Sequence, residues 1–181
     1  MNQLLSYLFR LCLFKAGPQD APASEKLVII TAVLVAVSYA LTSTGMYEGL
    51  STRVLVSVSQ VLVFGVVVWL VLKIKHLENR WIQTLIALFG AAAVFQFVSW
   101  PLVAMFDTSA DGMVDATGLP QPLWLHVFIG VWYLAVMSNV LRQALDTSLG
   151  RGVAAAMFCQ LTTVFGLILV LSLAGVGSES G

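Results

Sequence analysis

Five stretches of the chain, 27–43, 54–72, 81–106, 122–141 and 153–174, contain no Asp, Glu, Lys or Arg. A hydrocarbon layer about 30 Å thick takes roughly 17 to 25 helical residues at about 1.5 Å each, and the runs match that ruler. In lipid a backbone can satisfy its N–H and C=O groups only within helices or a closed barrel. Barrel strands alternate apolar with polar residues, and these runs do not. The expected fold class is therefore all-α: a polytopic membrane bundle of five transmembrane helices, with an amphipathic helix lying at the interface before the first. The third run is the longest, and Pro101 inside it lacks the N–H that would bond back to Phe97. A kink is expected there, with the last turn tilted or lying in the interface.

Composition narrows the class from another side. Of 181 residues 59% are hydrophobic and 10% charged, against about 45–50% and about 25% in soluble domains. Nine Lys and Arg balance nine Asp and Glu, so no net field recruits a polyanion and nucleic acid is not an expected partner. The lipid bilayer is.

Residues 1–24 form their own segment ahead of the 25–181 membrane domain. MNQLLSYLFRLCLF is apolar but too short to cross, and its cations Arg10 and Lys15 come within and after the apolar stretch. A cleaved signal sequence places them before it. The expectation is a helix lying on the bilayer surface with Leu and Phe dipping into the headgroups, followed by a Pro-broken connector, AGPQDAPAS. Cys12 in this helix and Cys159 in the fifth span are read as small apolar residues rather than a disulfide pair.

The cations also set sidedness, because Lys and Arg in short loops stay cytoplasmic. With the amino terminus inside, Arg10, Lys15, Lys26, Lys73, Lys75, Arg80, Arg142 and Arg151 fall inside, and Arg53 alone of the nine falls outside. The carboxyl terminus is then outside, and so is the acidic 107–121 connector with Asp107, Asp111 and Asp115. Short loops favour the inner (plasma) membrane of a bacterium.

No span holds a formal charge, which argues against proton pumping, voltage sensing and carboxylate ion sites. Phosphate loops, zinc spacings, nucleophile elbows and catalytic carboxylate pairs are all missing, so no enzyme and no cofactor is expected. The polar content that does occur is a band of amides. Gln60 of the second span, Gln96 and Ser99 of the third and His126 of the fourth fall in the same half of the membrane, with Trp100 and Pro101 beside them. Two readings stay open. The band bonds helices together at about 0.6 kcal/mol per hydrogen bond, or it lines a pocket. His126 would suit a metal, a haem or a quinone carbonyl, but the second histidine, His76, lies on the opposite side. Gly90–Ala93 and Gly152 with Ala154–Ala156 supply small surfaces for close helix approach.

A short amino-terminal segment, FRLCLFKAGPQDAPAS, followed by five closely spaced spans between about Leu27 and Ala174, resembles the Yip-type family of small membrane proteins. The resemblance implies a five-span bundle and a role in membrane organisation through partner proteins, and it carries over no functional residue. The functional expectation is a non-enzymatic scaffold or accessory subunit that docks other membrane proteins or itself. The alternative is binding or transport of a lipid-like or quinone-like molecule at Gln60, Gln96, Ser99, Trp100 and His126. Sidedness can be checked with a membrane-impermeant maleimide. A thiol engineered into 107–121 should react from outside and one beside Lys75 only after permeabilisation; the reverse pattern inverts the orientation.

Overall fold

The computed structural model of the chain describes residues 2–43, 49–108 and 121–173. The acidic 107–121 connector lies largely outside the described residues. Among the described residues there are six α-helices: α1 Asn2–Cys12, α2 Glu25–Thr42, α3 Leu50–Ile74, α4 Trp81–Thr108, α5 Gln121–Ala144 and α6 Leu149–Leu173. Short 3₁₀ turns at Pro18–Asp20 and Glu78–Arg80 precede α2 and α4. Helices α2 to α6 are long and apolar enough to cross a membrane. They outrun the uncharged stretches by a few residues, because Lys26, Arg53, Lys73, Arg142 and Arg151 sit in terminal turns. There long side chains reach polar surroundings while their backbones stay helical. α4 continues through Pro101 to Thr108.

Each spanning helix packs chiefly on two others, in the cyclic order α2, α3, α6, α5, α4 and back to α2. The five close a ring. Between lipid-facing helices no hydrophobic driving force operates, so small residues that let backbones approach do much of the holding. Gly152 of α6 is one such residue: a Cβ built on it would stand 2.6 Å from the Ser138 carbonyl oxygen of α5 and 2.7 Å from the Arg142 Cβ. Gly152, Ala156, Cys159 and Thr163 are the buried residues of α6, and their four-three-four spacing is one helical stripe. Gly166 likewise faces Val63 of α3.

At the end of the ring where α3 and α5 finish and α4 and α6 begin, the interior is solid. Val68, Leu72, Ile86, Met137, Val140, Leu141 and Ala156 are buried there. α4 is the most enclosed helix, with Thr84 to Phe89 buried without a break. The reason lies outside the ring. α1 lies across α4 and α5, its Leu8 seated on Gly90, so that a Cβ there would collide with the Leu8 side chain. Trp132 Nε1 of α5 donates to the Cys12 carbonyl at 3.0 Å, and the Phe14 ring lies 6.2 Å from that of Trp132.

The amphipathic α1 has two apolar rows. Tyr7, Leu8 and Leu11 are buried against the bundle, and a second row, with Leu5 63% and Phe9 68% exposed, faces away from it. The connector is stitched to the same surface: Tyr7 donates to the Gly17 carbonyl at 3.1 Å, Gln19 to Gln143 at 3.0 Å and Gln83 to the Ala21 carbonyl at 3.0 Å. Burial pushes the half-buried Cys12 thiol up to about 11, which keeps it protonated and a poor nucleophile at neutral pH. The Arg80 guanidinium lies 3.2 Å from the Ala144 carbonyl, a cation set at the negative end of α5.

Three of these helices turn sharply without glycine. Phe14, His76 and Asp146 take φ of 60°, 56° and 48° after α1, α3 and α5. Each is followed by an N–H that reaches five residues back: Lys15 to Arg10 at 2.8 Å, Leu77 to Leu72 at 2.9 Å and Thr147 to Arg142 at 3.0 Å. This is the Schellman closure, here on residues that bear a Cβ. The left-handed conformation costs about 1–2 kcal/mol at each, so the tertiary contacts hold it.

The ring makes a paired prediction on α6. Gly152→Ala is expected to destabilise the bundle by about 1–3 kcal/mol through overpacking. Gly150→Ala, where a Cβ meets nothing within 4 Å, is expected to be neutral or to gain up to about 1 kcal/mol of helix propensity. Unfolding in detergent compared between the two variants checks this, and equal effects would refute the close α5–α6 approach.

A central chamber lined by all five spanning helices

Away from α1 the ring is not filled. A chamber of about 470 Å³ opens at its centre, and every spanning helix contributes to the wall. α3 brings Gln60 and Ser57, α4 brings Gln96 and Ser99, and α5 brings His126 and Tyr133. α2 adds Tyr39, Thr42 and Ser43, and α6 adds Gln160. At its inner limit Phe64 of α3 and Phe89 of α4 meet across the ring, centroids 6.0 Å apart. Phe95 and Tyr133 pair at 5.5 Å along one side. Below the phenylalanines lies the solid apolar half, so the chamber is blind at that end.

The arrangement follows from simple geometry. Five helices packed at about 8–10 Å between axes place each axis roughly 7–8.5 Å from the centre, more than the ~5 Å radius of a helix with its side chains. Something must occupy the middle. In one half it is Val, Leu, Ile and Met; in the other amides, hydroxyls and aromatic rings line a space they do not fill.

The polar groups divide by how well they are satisfied. Ser43 donates to the Ala40 carbonyl at 3.3 Å and Ser57 to that of Val54 at 3.0 Å, each within its own helix. The Thr42 hydroxyl lies 2.9 Å from Gln96 Oε1 and 3.1 Å from the Tyr39 carbonyl, tying α2 to α4. That bond uses the Gln96 carbonyl and leaves its NH₂ out. Gln60 Oε1 is buried and has no partner among the described residues. An unmet buried amide oxygen costs about 1–3 kcal/mol. Gln60, Gln96 and His126 are gathered around one space, yet among the described residues no hydrogen bond joins any two of them: the interhelical tie runs from Thr42 instead.

Of the residues expected from sequence, Gln60, Gln96, Ser99 and His126 line the chamber. Trp100 does not; it is 48% exposed beyond the wall, because it follows Ser99 by 100° around α4. Tyr39, Thr42, Tyr133 and Gln160 were not legible as members. Gln160 had a signal, being an amide within a span, but its half of the membrane is settled only by how α6 is set in the ring. Among the described residues no three His, Cys, Asp or Glu side chains come together as a metal group would require. No family model, curated protein or solved structure matches the chain.

The unmet amide gives a test that separates a bonding role from a lining role. In ligand-free protein, Gln60→Leu should raise stability by about 1–2 kcal/mol, since it removes a buried acceptor without a partner. A fall in melting temperature comparable with that of Val68→Ala would mean that the amide holds helices together.

Proposed function

We propose that this chain is a membrane-embedded binding protein for a small amphipathic molecule of lipid-like or quinone-like build, held in the central chamber. The observation that carries the reading is the unpartnered Gln60 Oε1, buried at a space into which four other helices also bring polar side chains. A chamber of about 470 Å³ falls within the ~300–1,000 Å³ typical of small-molecule sites, and such sites pair apolar and aromatic walls with a few convergent polar groups. Gln60 offers an acceptor; the Gln96 amide and the Tyr133 hydroxyl offer donors. A ligand head with both an O–H and a carbonyl or ether oxygen would answer them, and its apolar body would lie along Phe64, Phe89 and Phe95.

The solid half beneath Phe64 and Phe89 favours retention over passage, because a transported molecule would have to displace fully buried Val68 and Met137. Among the described residues the wall holds one histidine and no carboxylate, which fits binding better than acid–base chemistry. The scaffold role rests on the absence of intramembrane charge alone, and the likeness to Yip-type proteins rests on span number and order. The same reading takes the membrane to be a bacterial inner membrane, with the amino terminus cytoplasmic and the chamber in the outer leaflet.

Gly130 lines the chamber and has nothing within 4 Å of a Cβ built on it. Gly130→Leu should therefore occupy the space without disturbing helix packing. Native mass spectrometry of the wild-type protein from mild detergent is expected to show a retained small molecule, lost in Gly130→Leu and reduced in Gln60→Leu and Gln96→Leu. An identical complement of bound molecules in all four proteins would overturn the reading.

A further inference from the structure

A second opening lies at the other end of the molecule and shares no residue with the chamber. Where α3 ends and α6 begins, a cleft of about 330 Å³ runs up between the two helices. Lys75 and Arg151 stand at its mouth with Thr147, and Val71, Ile74 and Ala154 form apolar walls. We propose that this cleft is a binding site for an anionic phospholipid, its phosphate held by Lys75 and Arg151 and one acyl chain laid along the α3–α6 seam.

Three observations converge on that ligand. Both cations are exposed, and neither has an ion-pair partner among the described residues. The nearest acids in sequence, Glu78 after Lys75 and Asp146 before Arg151, are both exposed, and neither lines the cleft. Contrast Lys73, two residues away, whose ammonium sits 4.4 Å over the Trp69 ring, and Arg80, which is engaged by α5 carbonyls. Lys75 and Arg151 are the two unpaired cations that line the cleft. Second, the apolar walls continue from the cations into the spanning part of α3 and α6, with Ile74 75% exposed. A free anion has no use for them; a phosphodiester with a hydrocarbon tail does. Third, the space itself depends on small side chains. Of the Gly/Ala stripe at the start of α6, Gly152 and Ala156 are spent against the bundle, while Ala154 and Ala155 line the cleft instead. Cationic pockets between spanning helices are a recurrent form of anionic-lipid recognition.

The test uses the full chain in nanodiscs containing phosphatidylglycerol and phosphatidylcholine, with lipids retained after gentle extraction counted by native mass spectrometry. The double variant Lys75→Gln, Arg151→Gln is compared with Lys15→Gln, Lys26→Gln, which removes the same charge from the same end of the bundle. Each of these side chains is exposed, so folding should survive, and unchanged helicity in phosphatidylcholine alone verifies it. The expected result is a loss of retained phosphatidylglycerol on the order of ten- to thirty-fold in the cleft variant only, with no change in phosphatidylcholine. An equal loss in both variants would reduce the effect to general surface attraction and overturn the site. So would displacement of the lipid by inorganic phosphate at matched concentration, which would make the cleft a free-anion site. Loss here with an intact chamber complement, or the reverse, separates this proposal from the one above.

Discussion

In hydrocarbon no water is present to take up a stray N–H or C=O, and the cost of leaving one unmet selects helices before any side chain is consulted. Everything else in this molecule is a consequence of how five such cylinders can be arranged. A ring of four can close on its own side chains; a ring of five leaves a gap on its axis that must be filled or lined. Here it is filled in one half by Val68, Met137, Val140 and their neighbours and lined in the other by polar groups, of which Gln60 Oε1 is left without a partner among the described residues. The contrast between two halves built from the same helices shows that the gap is not simply a failure of packing: α4 passes from unbroken burial at Thr84–Phe89 to the chamber wall at Gln96 within two turns.

α4 has this position because it is covered on both sides. α2 and α5 flank it in the ring, and α1 shields it from outside through Leu8 on Gly90. Over the turns around Gly90, α4 gives up outward exposure to a segment too short to cross, while Phe97, Val98 and Trp100 further along remain exposed. The shielding depends on the notch at Gly90 and on the polar ties at Tyr7, Gln19 and Gln83.

The five helices were legible because the absence of charge over about 20 residues has one physical reading in a bilayer. The membership of Gln60, Gln96, Ser99 and His126 in one band was legible too, since depth follows from counting residues at ~1.5 Å each. Rotation about the helix axis was not. That is why Trp100 turned out to lie beyond the wall while Tyr133 and Gln160 lie on it, and why the docking of α1 on α4 and α5 could not be read. The amphipathicity of MNQLLSYLFRLCLF is the same whether its partner is headgroups or helices. The sharp turns after α1, α3 and α5 were hidden for a different reason, since Phe14, His76 and Asp146 adopt a conformation usually announced by glycine.

The bond from Trp132 to the Cys12 carbonyl joins residues 120 apart in the chain. At a synthesis rate of about 5–20 residues per second, roughly 6 to 24 s separate the emergence of the two. Through that interval the surface on which α1 finally rests does not exist, and its Leu and Phe side chains need other cover. The bilayer interface offers it. The interfacial character of the first fourteen residues therefore suits the chain before α5 is made as well as the finished fold, in which the same side chains rest on α4 and α5.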